Sequence, residues 1–240
     1  SLHNFCAGIK DNFWLMGEVV HGDYNNWARA GKLDSVTNYQ MYKALWSSYN
    51  SANLFEIAYS LNEEFGSGGK YKNLMLYNFL DNHDVNRIAS TLANQKWLFP
   101  LYGMLFTVPG IPSIYYGSEW GIRGTRVNGS DYQLRPAAAP FADSLADFAR
   151  PAINGADLQN TIRKFAEIRK TNPALQKGDY RQIALTNTEF AFMRTFENQQ
   201  IISAFNQKDT SAVLSINGID GDWEDILNGG HFSGDALHHL

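Results

Sequence analysis

Three apolar runs that each end in a polar cluster constrain this sequence more than any other feature. Residues 13–16 run into Glu18, residues 74–80 into Asn82, His83 and Asp84, and residues 111–116 into Glu119. Continuous hydrophobicity is typical of strands that are buried on both faces, as in a parallel sheet. Stretches of helical periodicity separate the runs, so this part of the chain predicts β–α alternation with right-handed crossovers.

The polar clusters all follow the carboxyl ends of their strands, the face on which a parallel α/β barrel builds its active site. Glu18 and Asp84 lie about two βα units of roughly 30 residues apart, with a weaker candidate strand at 33–38 between them. We therefore expect both carboxylates to converge across the barrel mouth. Converging carboxylates in an aromatic-rich cleft indicate glycoside hydrolysis, in which a protonated acid assists the leaving oxygen.

Each signal also has a simpler interpretation. A Gly-Glu pair after a strand can be solvated or cap a helix, and Asn-His-Asp can form a turn or a cap. A metal site is a third interpretation, and its ligands would be Glu18, His21, His83 and Asp84. No pair of ligands at a fixed spacing supports it, so no metal site is predicted.

Composition excludes several other classes of protein. The formal net charge of −4 argues against binding to nucleic acid phosphates. The sequence has no run of about 18 apolar residues, so no membrane association is predicted. The single cysteine excludes a disulfide framework, whereas 44% hydrophobic residues are enough to form a substantial core.

The pattern changes near residues 173–178. Beyond that point, short β-prone segments separated by turn residues lie at 180–186, 189–196, 200–206 and 211–216. We predict two domains, an α/β part at 1–176 and an all-β part at 177–240.

The motifs, in this order, resemble those of the α-amylase family of glycoside hydrolases (family 13). FWLMGEV resembles the strand-five motif, LDSVTNY strand six, FLDNHD strand seven, and IPSIYYGSE strand eight with its following loop. LQNTIRKFAEIRKTNPALQKGDY resembles the last barrel helix, and TEFAFMR resembles an early strand of the C-terminal β domain. The resemblance implies strands five to eight of a (β/α)8 TIM barrel, a partial barrel, followed by a small and incomplete antiparallel β-sandwich.

The resemblance also implies an activity and a set of residues. Relatives hydrolyse α-1,4-glucosidic bonds of starch, glycogen or maltooligosaccharides with retention. Glu18 would be the general acid/base and Asp84 the transition-state stabiliser. Asn82 and His83 would flank the sugar at the scissile bond, and His21 follows the acid where relatives often contact substrate.

Two loop aromatics complete the predicted substrate site. Tyr39 and Trp27 lie just after strand ends, where aromatic rings can stack on sugars. Exposed loop aromatics often contact no ligand, and this simpler interpretation stays open.

The sequence departs from the family at its nucleophile. The family carries this Asp at the end of strand four, two residues after an Arg, and no such pair lies in a strand context here. This chain alone is therefore predicted to be inactive. No cofactor is evident, and calcium is left open for the full-length protein, because the family's missing inserted domain usually contributes calcium ligands.

Half a barrel leaves two open strand edges. The expected partners are an α-glucan and, across those edges, a second copy of the chain or the missing N-terminal half. A transglycosylase or isomerase of the same family stays open, since the same carboxylates serve both outcomes. A non-catalytic carbohydrate-binding relative also stays open, although such relatives tend to lose the acid and the Asn-His-Asp residues.

Overall fold

The computed structural model describes residues 1–29, 32–137, 147–214, 216, 219 and 221–233. Short strands and helices alternate in the first part: α1 (Leu2–Ala7), β1 (Met16–Gly17), β2 (Ser35–Val36), α2 (Tyr39–Asn50), α3 (Phe55–Phe65), β3 (Tyr77–Phe79), α4 (Ile88–Thr91), α5 (Leu98–Thr107) and β4 (Ile111–Ser113). The second part contains α6 (Gly155–Thr171), α7 (Pro173–Lys177), β5 (Asp179–Leu185), β6 (Glu189–Phe196), β7 (Gln199–Asn206), β8 (Asp222–Glu224) and β9 (His231–Ser233).

The first four strands are parallel. β1 pairs with β2, β3 pairs with β4, and a parallel bridge between Thr37 and Tyr77 joins the two pairs. Their carboxyl ends therefore lie on one side, as the β–α alternation predicts. Within the described ranges, β1 pairs only with β2 and β4 only with β3, so both outer edges are open. Among the described helices, none combines the length and the apolar character that a membrane span requires.

Helices α5 and α6 pack closely against each other. Seven of the ten residues of α5 are buried. Gly103 in α5 allows this approach, because a Cβ atom there would lie 3.0 Å from Cζ of Phe165 in α6. Pro100, which the sequence marks as a helix break, instead lies in the first turn of α5, where its missing N–H would have no helical partner.

The strands β5, β6 and β7 form an antiparallel sheet in that order. Successive side chains of β6 point into two different cores. Phe190 and Phe192 pack into the main core, while Ala191 and Met193 pack into a smaller cluster. The strand expected at 211–216 is absent at every described position of that segment. A ribbon of β8 and β9 follows that the sequence patterns do not indicate.

A buried polar network joins strand β3 to helices α2 and α3. Asn38, at the start of α2, donates from Nδ2 to Oε2 of Glu64 at 2.5 Å and to Oδ1 of Asn78 at 3.1 Å. Ser60 donates to the other oxygen of Glu64 at 2.9 Å. Burial raises the pKa of Glu64 from 4.5 to about 7, and these hydrogen bonds act in the opposite direction.

This raised pKa makes stability depend on pH. A carboxyl whose pKa rises on folding favours the folded state below its unfolded pKa, and this contribution disappears as the pH rises through the folded pKa. Between pH 4.5 and about 7, the chain is expected to lose on the order of 3 kcal/mol of unfolding free energy relative to Glu64→Gln. Denaturant titrations across this range measure the difference.

Glu63→Gln is the matched control, because Glu63 is the neighbouring carboxylate and its side chain is 40% exposed. It should not reproduce this pH dependence. A constant difference between the chain and Glu64→Gln across the range would contradict the prediction.

Candidate active site

The two predicted catalytic carboxylates meet at the carboxyl ends of β1 and β3. Glu18 directly follows β1, and Asp84 lies five residues after β3. One carboxylate oxygen of each, together with a ring nitrogen of His83, lie within 4.8 Å of one another. The bridge between Thr37 and Tyr77 places β2 between the two strands, which brings distant sequence positions to one cleft.

A chain of hydrogen bonds joins Asn82 to Glu18 through Tyr39. The amide Nδ2 of Asn82 donates to the Tyr39 hydroxyl, which donates to Oε1 of Glu18, each at 2.9 Å. Oδ1 of Asn82 accepts from the backbone N–H groups of Asp84 and Val85, at 2.8 and 3.1 Å. Burial raises the pKa of Tyr39 to about 12, so its hydroxyl remains a donor at neutral pH.

Asp84 lies between a histidine and an arginine. Nε2 of His83 lies 3.4 Å from Oδ2 of Asp84, and Arg135 donates to Oδ1 at 2.9 Å. Arg135 also donates to the carbonyl of His83 at 3.0 Å and to Asp131 at 2.9 Å. Arg126 binds the same Asp131 and the carbonyl of Asp84. The loop after β4 therefore folds back over the end of β3.

The side chain of Arg87 holds the loop after β4 in place. It is fully buried, and its guanidinium carbon lies 4.1 and 4.8 Å from the ring centroids of Tyr115 and Tyr116. Nε donates to the carbonyl of Leu134 at 3.0 Å, and Nη1 donates to Oγ of Ser118 at 3.0 Å. Leu134 precedes Arg135, so Arg87 fixes the segment that reaches Asp84.

A buried carboxylate lies next to Arg87. Asp81 accepts from Oγ of Ser118 and from the backbone N–H of Ile88, each at 2.8 Å. Burial raises the pKa of Asp81, and the positive charge of Arg87 is the main opposing cause. Asp81 and Arg87 therefore form one buried unit with Ser118 between them.

The other two predicted substrate residues lie apart from these contacts. Trp27 is 50% exposed, and the ammonium group of Lys32 lies 5.7 Å from its ring centroid. His21 is exposed. Among the described contacts, no hydrogen bond or ion pair joins either residue to Glu18 or Asp84, and their roles remain predictions.

The same cluster fits a metal ion poorly. Glu18, His83 and Asp84 are the described residues that meet a ligand geometry. The Arg135 guanidinium already occupies one oxygen of Asp84, and Tyr39 occupies one of Glu18. Calcium prefers six to eight oxygen ligands, so this cluster does not suit it.

Sequence reasoning did not find the residues that surround Asp84. Arg126, Asp131 and Arg135 lie in a Gly- and Pro-rich stretch whose folding depends on tertiary contacts. Asp81 and Arg87 flank the Asn-His-Asp motif. A carboxylate at the end of a buried strand, followed six residues later by an arginine, is a pattern that could have identified them.

Removing the buried cation tests the Asp81–Arg87 unit. Arg87→Met leaves Asp81 buried without its nearby positive charge, and we expect a loss of about 3–5 kcal/mol of unfolding free energy. The double variant Asp81→Asn, Arg87→Met should recover part of that loss, since no unpaired charge is left. Urea denaturation measures all three proteins.

Arg126→Met serves as the control, because it removes an exposed arginine from the loop that Arg87 contacts. Its effect should be much smaller. If Arg87→Met were no more destabilising than Arg126→Met, the buried unit would not have the proposed importance.

Comparison with known proteins identifies the family to which this sequence is similar. Residues 1–172 match the family described as alpha amylase, catalytic domain. The α-amylase 2 of Dictyoglomus thermophilum is 24% identical over 239 residues, covering 95% of this chain and 39% of that protein. A cyclomaltodextrin glucanotransferase of Niallia circulans is 26% identical over 224 residues, covering 90% and 29%. The chain thus spans well under half the length of these curated relatives.

Solved structures agree with the fold. A cyclomaltodextrin glucanotransferase with a three-domain ABC distribution superposes with a TM-score of 0.75 at 23% identity, covering 94% of this chain and 45% of that one. An Anoxybacillus α-amylase superposes with a TM-score of 0.73 at 22% identity, covering 96% and 50%. The chain therefore has a partial α/β fold of this kind, and it belongs to the α-amylase family.

Proposed function

We propose that this chain is the second half of a (β/α)8 barrel, strands five to eight, with its C-terminal β domain, divided at 1–176 and 177–240. It is part of a retaining glycosidase that hydrolyses α-1,4-glucosidic bonds of starch, glycogen or maltooligosaccharides. The observation that carries the proposal is the convergence of Glu18, His83 and Asp84 within 4.8 Å at the ends of parallel strands. Family membership over residues 1–172 supports it.

Each carboxylate has its own role in this reaction. Glu18 protonates the glycosidic oxygen as the bond breaks and later activates the attacking water. Asp84 balances the positive charge that develops on the sugar. Asn82 and His83 flank the scissile sugar, and His21, Tyr39 and Trp27 extend the contact with the glucan.

The covalent step needs a nucleophile that this chain does not provide. The Arg-x-Asp pair of strand four has no counterpart in the sequence. The chain alone is therefore expected to release no chromophore from a nitrophenyl maltooligosaccharide. Adding strands one to four from a relative should restore turnover, and Glu18→Gln in the same mixture should lower it by about 10²–10⁴-fold.

Turnover by the chain alone, abolished by Glu18→Gln, would contradict the missing nucleophile. Turnover that survives Glu18→Gln in the complemented mixture would contradict the role of Glu18. Strands one to four without this chain provide the background rate.

The open edges of β1 and β4 favour pairing with a further strand. Helix α1 and the segment that leads into β1 expose apolar side chains, namely Leu2, Phe5, Ile9, Phe13 and Trp14, which are 45–73% exposed. We propose that strands one to four, or a second copy of the chain, cover this surface. In sedimentation, the chain is expected to self-associate with rising concentration, and addition of strands one to four should suppress this.

A monodisperse monomer with a cooperative thermal transition would contradict the proposed pairing. Leu2→Ser, Phe5→Ser and Ile9→Ser in combination make a matched variant, because none of the three residues is buried. This variant should shift the sedimentation profile towards the monomer.

Transfer rather than hydrolysis is the second candidate. Cyclomaltodextrin glucanotransferases are among the curated relatives, and in them a sugar rather than water accepts the glycosyl group. Products from maltotriose distinguish the two reactions, since only transfer gives longer oligomers.

A further inference from the structure

The hydroxyl of Tyr39 bridges two side chains from different strand ends. It accepts from Nδ2 of Asn82, after β3, and donates to Oε1 of Glu18, after β1, each at 2.9 Å. Tyr39 is the first residue of α2, which follows β2. The bridge therefore crosses three neighbouring strands at the level of the acid.

The direction of this bridge is fixed by the groups around it. Oδ1 of Asn82 is occupied by the backbone N–H groups of Asp84 and Val85, so its amide NH2 must face Tyr39. A hydroxyl that accepts from this NH2 directs its own hydrogen elsewhere. Glu18 is the acceptor within reach.

The ring of Tyr39 is held by its neighbours. Its centroid lies 5.0 Å from that of Phe79 and 6.1 Å from that of Tyr42, both edge to face. Asn38, the residue before it, is fully buried and caps α2 through a hydrogen bond to the N–H of Met41. The hydroxyl is thus presented to Glu18 by a fixed ring on a fixed helix.

We propose that Tyr39 is a positioning residue for the acid, whose hydroxyl occupies Oε1 of Glu18 and leaves Oε2 to carry the proton that passes to the leaving oxygen. Oε2 has no hydrogen bond to any described residue. If Oε1 carried the proton, that proton and the hydroxyl hydrogen of Tyr39 would point at each other. The hydrogen bond from Tyr39 therefore favours protonation of Glu18 on Oε2. The inference rests on the proposed function, in which Glu18 is the general acid.

The contact itself is tested on the chain without any activity. In protein labelled with 13C at glutamate carboxyls, Glu18→Gln identifies the Glu18 resonance. Tyr39→Phe should shift that resonance, because it removes the hydrogen bond donor. Tyr42→Phe is the matched control, since it deletes a hydroxyl three residues along the same helix that does not bind Glu18. A Glu18 resonance that moves no more in Tyr39→Phe than in the control would overturn the proposal.

The consequence for the reaction is tested with two leaving groups in the mixture complemented with strands one to four. Cleavage of an aryl maltotrioside with a poor leaving group needs the acid to protonate the departing oxygen, whereas cleavage of the carbon–fluorine bond of α-maltotriosyl fluoride releases fluoride ion without that proton. Tyr39→Phe should lower kcat/KM for the aryl substrate by about 10–100-fold and change it for the fluoride by less than about threefold.

These outcomes separate the two proposals. Equal losses on both substrates would indicate a general structural role, and no loss on either would indicate none, so either result overturns the positioning role. If the unaltered mixture processes neither substrate, the proposed function fails, while the carboxyl resonance still decides whether Tyr39 binds Glu18.

Discussion

The buried amide of Asn38 is the contact that joins helices α2 and α3 to strand β3. It has no exposed surface. Its oxygen caps α2, and its nitrogen donates hydrogen bonds to Glu64 in α3 and to Asn78 in β3. Asn78 in turn donates to the carbonyl of Pro109, just before β4, at 2.7 Å. A buried polar group without a partner costs about 1–3 kcal/mol, so these elements hold one relative position.

The geometry of the candidate site depends on this buried network. Tyr39 directly follows Asn38, and Asn82 lies four residues after Asn78. The strands contribute only two or three paired residues each, so side-chain hydrogen bonds take over much of the alignment that longer ladders would provide. The buried network thus helps to position the two segments that carry Tyr39 and Asn82.

The sequence predicts that Glu18 and Asp84 lie close together, because this depends only on where the apolar runs end and on the strands being parallel. Glu18 and Asp84 follow apolar runs, and parallel strands bring their ends to one face. The contact of Arg135 with Asp84 could not be predicted, because a loop after β4 reaches back to β3. Trp14 lies in the first apolar run, which predicts a buried strand, yet it is 46% exposed, because no described strand pairs with the open edge of β1.

Asn82 illustrates how narrow the chemical tolerance of such a cleft is. Its oxygen accepts two backbone hydrogens while its nitrogen donates to Tyr39, so both ends of one amide are needed at once. Were the amide replaced by a carboxylate, as in Asn82→Asp, the oxygen contacts would survive but the donor would be lost. The hydroxyl hydrogen of Tyr39 could then bond either to the new carboxylate or to Glu18. A change of a single functional group would thus alter the hydrogen bond to Glu18 without moving the backbone.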